Sequence, residues 1–360
     1  MGAGHPCSFL KAACQGTKNG YILGVNNLLP PGPRNPSSAR NARQFSRRDL
    51  LGRAGLWAGA AVLGKDLGVA RVEAEGVSDG ASRPFIYCLN TATIRGQKFG
   101  IVKEIEVASQ AGYDAIEPWV DSLEAYVKGG GKLAELKERI HDSGLTVEDA
   151  IAFPQWIVAD DARSAEGLEQ AKRAMEMVVQ IGGKRLAAPP AGATDLPKLD
   201  WKLAAQRYRA LLEAGDQIGL VAQFELWGVS KNFNRLGECV GIAIETGHPK
   251  ACVLADVFHL YKGGSEIKGM RLLGPSAIQV LHMNDFPDNP PREKIDDSYR
   301  IYAGDGVAPL TEILQTLHAT GGQKVLSLEV FNRGYWAQDA LTVAKTGLAK
   351  MKAVVAKAGL

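Results

Sequence analysis

The sequence predicts a (β/α)8 barrel carried behind an N-terminal leader. Three observations point to it: eight short β-type runs, longer amphipathic stretches between them, and metal-capable side chains ending four consecutive runs. From Arg83 onward, apolar runs alternate with stretches whose apolar residues recur every three to four positions, the pattern of repeated βα units and a parallel sheet. The runs are Phe85–Asn90, Ala115–Trp119, Thr146–Ala150, Arg185–Ala188, Val221–Leu226, Ala251–Asp256, Ile278–Asn284 and Val325–Phe331. The helical stretches are Ile101–Ala111, Lys132–Ser143, Ser164–Ile181, Ala204–Gly219, Leu236–Thr246 and Pro309–Thr320, with Gln338–Ala356 after the last run. Glycine closes several of them (Gly112, Gly144, Gly182, Gly219, Gly247, Gly321), as helix C-termini favour.

Eight such units match the TIM-barrel architecture of roughly 250 residues, read here as one domain spanning residues 83–360. A doubly wound sheet is the alternative. It calls for a glycine-rich phosphate turn after its first strand, and Asn90-Thr91-Ala92-Thr93-Ile94-Arg95-Gly96 is not one.

With 46% hydrophobic and 22% charged residues, the 360-residue chain has the composition of a globular protein able to bury a core. Its net charge of +3 is near neutral, and no basic stripe interleaved with aromatics follows the N-terminal region, so nucleic acid is not the expected partner. Cys7, Cys14, Cys88, Cys239 and Cys252 lack CxxC spacing, which predicts neither a disulfide framework nor a cysteine metal site.

Residues 1–45 are rich in Gly, Pro, Asn and Ser and read as disordered or as an over-extended translation start. Residues 46–82 read as a twin-arginine export signal and linker. Ser46-Arg47-Arg48-Asp49-Leu50-Leu51 precedes the apolar run Leu56–Gly64, which is too short to span a hydrocarbon core of roughly 30 Å. The expected partner is the twin-arginine translocation machinery, and the expected location is periplasmic or secreted.

In such a barrel the active site lies at the C-terminal ends of the strands. Glu225, Asp256, His282 and Glu329 fall at that level on the fifth to eighth strands, where a closed barrel turns their side chains toward one axis. Taken singly, a strand-end carboxylate is more often a helix N-cap or a surface ion-pair partner. Together, three carboxylates and an imidazole raise one another's pKa and cost energy unless a cation joins them. Oxygen-rich ligation with one nitrogen favours Mn²⁺, with Mg²⁺, Co²⁺ or Zn²⁺ as alternatives.

From Arg83 to Leu360 the chain resembles the xylose-isomerase-like barrels that include sugar isomerases, ketose 3-epimerases and inosose dehydratase. The resemblance rests on Phe224-Glu225-Leu226-Trp227-Gly228, Asp256-Val257-Phe258-His259, His282-Met283-Asn284-Asp285 and Glu329-Val330-Phe331-Asn332 with Tyr335-Trp336. It implies metal ligation by Glu225, Asp256, His282 and Glu329, acid–base roles for Glu225 and Glu329, and substrate contact by His259. Glu117, ending the second strand, is a further position expected to face the pocket, and Trp119, Trp156 and Trp227 are expected to wall a sugar site.

The expected reaction is isomerisation or epimerisation of a sugar. A carboxylate removes the proton beside a carbonyl, and a metal stabilises the resulting enediolate. A lyase or dehydratase acting on a keto-sugar or cyclitol passes through the same enediolate, and a non-catalytic exported sugar-binding barrel needs the same pocket. The histidine count argues against the chemistry of the related endonuclease IV, whose trinuclear zinc site needs more strand-end histidines than His259 and His282 provide. The loop Phe286–Ile301 is expected to cover the pocket; barrels of the resembled family often pair through their outer helices, and the sequence leaves the oligomeric state, including a homo-oligomer, open.

Overall fold

The computed structural model describes residues 83–360; the predicted leader and twin-arginine signal, with Cys7 and Cys14, lie outside the described residues. Eight parallel strands form the sheet: β1 (Phe85–Asn90), β2 (Ala115–Glu117), β3 (Thr146–Val147), β4 (Arg185–Ala188), β5 (Val221–Glu225), β6 (Val253–Asp256), β7 (Val280–Met283) and β8 (Lys324–Leu328). All eight predicted runs carry a strand, and most strands are shorter than predicted. Their order is β3-β2-β1-β8-β7-β6-β5-β4.

The sheet closes between β3 and β4 through Ile151, which bridges Trp119 on one side and Ala187 on the other. Ile151 N donates to Pro118 O at 3.0 Å, and Ala187 N donates to Ala150 O at 2.8 Å. The predicted barrel is thus the observed fold.

The helices are α1 (Ile101–Ala111), α2 (Val120–Lys128), α3 (Leu133–Asp142), α4 (Asp161–Gln180), α5 (Trp201–Ile218), α6 (Leu236–Glu245), α7 (Val257–Gly263), α8 (Leu310–Ala319), α9 (Arg333–Trp336) and α10 (Ala340–Lys357). Each long helix turns an apolar stripe to the sheet. On α5 the stripe is Ala204, Tyr208, Leu211, Leu212 and Gly215, and Gly219 (φ 92°) ends the helix in the left-handed region that side-chain-bearing residues avoid. Burying each such Leu or Ile side chain contributes about 1.5–3 kcal/mol, so the layer between sheet and helices supplies most of the fold's stability. The α2, α7 and α9 helices were not predicted; α7 and α9 have seven and four residues, too few to establish a period. Cys88, Cys239 and Cys252 are buried and free.

Inside the barrel, alternate residues of each strand point inward. Cys88, Ala115, Ile151, Ala187, Leu254, Val280 and Val325 form a small apolar plug. Below it, Glu148 accepts from Lys184 Nζ (2.6 Å) and Arg185 Nη1 (3.1 Å), and Arg185 Nη2 donates to Gln279 Oε1 (2.8 Å), closing the floor. Two residues further along several strands, the inward positions become Asn90, Glu117, Asp256, His282 and Ser327. The register that pairs Asn90 with Glu117, Asp256 with His282 and His282 with Ser327 brings them to one level.

Outside the barrel, one carboxyl is buried without compensation. Glu104, in the first turn of α1, is 4% exposed and has no partner for Oε2. Burial pushes its pKa up to about 7, with Arg95 lowering and Asp121 raising it less. The native state therefore binds a proton that the unfolded chain releases above about pH 4.5, and this stabilisation is lost as pH rises toward 7. Glu104→Gln is expected to leave stability unchanged at pH 5 and to raise it by about 1–3 kcal/mol at pH 8, as measured by urea unfolding at the two pH values.

Candidate active site and metal centre

Four of the sequence-selected residues meet at the C-terminal mouth of the barrel. The ligand-capable atoms of Asp256, His282 and Glu329 lie within 4.8 Å of one another, and all three residues are buried. His282 Nδ1 is 3.1 Å from Glu329 Oε2, 3.6 Å from Asp256 Oδ2 and 3.9 Å from Glu225 Oε1. Glu225 thus borders the triad from β5 and stands slightly apart from it. Neither His282 Nδ1 nor Glu225 Oε2 has a hydrogen-bond partner, although both are buried.

Two unit charges of like sign 4 Å apart repel by about 4 kcal/mol at an effective dielectric of 20. Three carboxylates around one point therefore require positive charge. The unpartnered, inward-facing nitrogen and the oxygen-rich donor set fit a divalent cation. Glu225, Asp256, His282 and Glu329 are the side chains that would hold it.

Protonation follows the same electrostatics. Burial opposes a charge on His282, but the carboxylates of Glu117 and Glu329 outweigh it and hold the imidazolium well above its ordinary range. Burial raises Asp256, yet the charges of Arg300 and His259 hold it far below the usual carboxylate range. Glu225 has only His282 near it as a cation, at 3.9 Å. Burial pushes it up to about 8, opposed by His282 and assisted by Glu329.

Glu117 takes a different place from the one expected of it. It is fully buried behind His282, and its oxygens are taken by protein: Oε1 by His282 Nε2 (2.9 Å), Oε2 by Asn90 Nδ2 (3.1 Å) and the Ser327 hydroxyl. The histidine's Nε2–H is thereby committed to Glu117, which turns Nδ1 toward the carboxylates; its proton in the imidazolium would have to leave before that nitrogen could ligate a cation. Asn90 also donates to Glu329 Oε1 at 3.1 Å, tying this support to the cluster. Deeper still, Asp149 Oδ2 accepts from Gln223 Nε2 at 2.8 Å. Burial and the charge of Glu117 push Asp149 well above the ordinary carboxyl range.

The central cation among the described side chains was not predicted. Arg300 is 1% exposed and donates from Nη1 to Asp256 Oδ2 (2.6 Å) and Glu329 Oε2 (2.9 Å). Its Nη2 donates to Asp297 Oδ1 at 2.7 Å and lies 3.2 Å from His259 Nε2. It arrives on the loop 286–301, which is a fastened strap. Asp285 binds the backbone N–H groups of Phe286, Gly304, Gly306 and Ala308 at 2.8–3.0 Å and pairs its own backbone with Ile301, the residue after Arg300. A Cβ on Gly306 would collide with the Phe286 carbonyl and the Asp285 carboxylate, so this turn requires glycine. At the strap's other side, Lys262 Nζ donates to the carbonyls of Arg292 (2.8 Å), Glu293 (3.2 Å) and Ile295 (2.8 Å).

His259 is buried one turn into α7 beside Arg300, while Asp256 caps that helix by accepting from His259 N at 2.9 Å. The N-cap and the ligand readings of Asp256 therefore both hold geometrically, one through each oxygen. Trp119, Phe153, Trp227 and Phe331 form an aromatic collar: Trp119 lies 5.1 Å from Phe153 and 6.1 Å from Phe331, Phe153 lies 6.0 Å from Trp227, and Trp227 lies 6.4 Å from His259. Trp156 is not in it. That indole is 1% exposed, packs on Tyr208 and Phe224, and donates to Pro189 O at 2.9 Å; it belongs to the core and corrects the expectation that it walls the site.

A sequence family described as the xylose isomerase-like TIM barrel matches residues 105–354. The chain is 26% identical over 277 residues to an inosose isomerase of Bacillus velezensis, covering 75% of this chain and 97% of the relative. It is 23% identical over 248 residues to a 3-dehydroshikimate dehydratase of Pseudomonas putida, covering 68% of this chain and 38% of that longer protein. Among solved structures, that of the IolI protein with a bound zinc atom superposes with a TM-score of 0.70 at 23% identity, covering 76% of this chain and 98% of that one.

The supporting role of Glu117 is open to direct measurement. Glu117→Gln is expected to weaken divalent-metal binding by about 10–100-fold in a chelator competition, with circular dichroism unchanged. Unchanged metal affinity would show that His282 needs no fixed tautomer.

Proposed function

We propose, from the premise that the chain belongs to the xylose isomerase-like TIM barrel family, that it is a divalent-metal-dependent isomerase or epimerase of a neutral keto-sugar. The observation that carries this reading is the convergence of Asp256, His282 and Glu329 within 4.8 Å around an unpartnered Nδ1, with Glu225 alongside. A cation held there would polarise the substrate's carbonyl and adjacent hydroxyl oxygens. Mn²⁺ is proposed ahead of Mg²⁺, Co²⁺ and Zn²⁺; the zinc in the related structure supports a metal of this class.

The side chains supply the proton chemistry. Glu225 on β5 and Glu329 after β8 stand three strands apart around the mouth, so they approach a ring lying over the cluster from different sides. One removes the proton beside the carbonyl, leaving an enediolate, and the other returns it. Return to the opposite face of the same carbon is epimerisation, and return to the neighbouring carbon is isomerisation. His259, buried at the rim beside Arg300 with its Nδ1 unpartnered among the described residues, orients substrate oxygens, and Trp227 packs on the C–H face of the ring. The collar exposes apolar ring surface, and Arg300 is already engaged by three carboxylates, so a neutral substrate suits the site better than a phosphorylated one.

The dehydratase relative supports a second reading, in which the enediolate expels a β-hydroxyl. Export by the twin-arginine pathway belongs to the proposal and is supported by the sequence alone.

Solvent deuterium exchange tests the chemistry. With divalent metal supplied, an inosose and a panel of neutral keto-hexoses are expected to gain deuterium beside the carbonyl in at least one case, and Glu329→Gln to slow that exchange by about 10²–10⁴-fold. Exchange that persists in the variant would remove Glu329 from the acid–base role. Product analysis by NMR separates isomer, epimer and dehydrated product.

A further inference from the structure

Phe153 is an exposed aromatic, 43% accessible, that neither the core nor the carboxylate cluster explains. It follows β3 and meets the edge of Trp119 at 5.1 Å. Trp119 is held from two sides: its indole N–H donates to Asn90 Oδ1 at 3.1 Å, and the Arg95 guanidinium lies 4.2 Å over its ring, itself paired with Asp121.

These two aromatics also wall a separate cavity of about 270 Å³ beside α2 and α4. None of the cluster residues lines it. Its remaining polar groups are Asp121, Glu124 and Gln170, and the backbone of Ile151–Pro154 completes one side. The cavity falls just under the roughly 300–1,000 Å³ of drug-sized ligand pockets, the size of a site for one ring and its solvent. Trp119 is the shared wall, and Asn90 connects its indole to Glu329 by two hydrogen bonds of 3.1 Å.

We propose that this cavity is a second-ring subsite, and hence that the substrate is a glycoside whose reacting sugar carries its ketone on a ring carbon other than the glycosidic one and lies over the cluster, while its attached ring lies against Trp119 and Phe153. The inference rests on the sugar reading above. Aromatic faces pack on the C–H surface of a pyranose or on an aryl ring, and two carboxylates with an amide suit hydroxyl groups. The same carboxylates disfavour an attached ring bearing phosphate or carboxylate. The shared ligand chemistry is thus a neutral ring with an apolar face, from either a second sugar or an aryl aglycone.

Calorimetric titration of the metal-loaded full chain with the 3-keto derivatives of methyl β-glucoside, cellobiose and phenyl β-glucoside, each oxidised in the ring that forms the glycosidic bond, tests it. At least one two-ring probe is expected to bind ten-fold or more tighter than the methyl glycoside, and whichever does so identifies the attached ring as sugar or aryl. In Phe153→Ala this preference is expected to fall to near unity. Equal binding of all three probes, or a preference that survives in Phe153→Ala, overturns the subsite alone. A metal-loaded protein that binds none of them overturns the subsite and the sugar reading together.

Discussion

The interaction on which the rest of the site depends is the mutual repulsion of buried carboxylates at the barrel mouth. Glu225, Asp256, Glu329 and Glu117 all lie within reach of one imidazole, and water does not screen them. The surrounding structure supplies positive charge and hydrogen bonds to three of them. Arg300 spans Asp256 and Glu329, His282 stands between Glu117 and the cluster, and Asn90 donates to both Glu117 and Glu329. Glu225 alone lacks such support, and its carboxyl is accordingly held at about 8 by burial. An arrangement this costly in isolation is economical around a divalent cation, where the same charges become ligands.

Geometry reaches the site by two routes. Strand register delivers the clustered carboxylates and imidazole, because inward positions alternate along each strand and neighbouring strands bring Asp256, His282 and Ser327 side by side. A loop delivers the cation that balances them. Arg300 is an ordinary loop arginine by sequence, and only the Asp285 carboxylate binding four backbone N–H groups, with Lys262 on the facing helix, fixes it over Asp256. The strap is therefore structural support for the centre as well as its cover.

This division explains what the sequence disclosed. Period-two inward positions on β-runs are local, so Glu225, Asp256, His282 and Glu329 were legible from strand ends alone, as was the barrel from eight runs and their helices. The same signal covers Asn90 and Asp149, near the ends of the first and third predicted runs, but nothing in the sequence separates a site residue there from a cap or turn residue. Arg300 carries no such signal, since its place depends on contacts with Asp285 and Lys262 that span the fold. Glu117 was selected correctly as a strand-end carboxylate but assigned outward to the pocket; whether such a side chain faces substrate or supports a ligand depends on its depth along the barrel, which hydropathy does not encode. Trp156 shows the same limit, because a tryptophan just past a strand can turn to the mouth, as Trp227 does, or to the core.

The measurement that tests this account most directly is an anomalous-diffraction crystal structure of the metal-loaded protein. The account predicts one peak in the barrel mouth, within bonding distance of His282 Nδ1, Asp256, Glu329 and Glu225, with His282 Nε2 still donating to Glu117. A mouth without metal at saturating concentration, or a metal bound elsewhere with the Arg300 pairs to Asp256 and Glu329 intact, would show that arginine and protons alone balance the buried carboxylates and would contradict it.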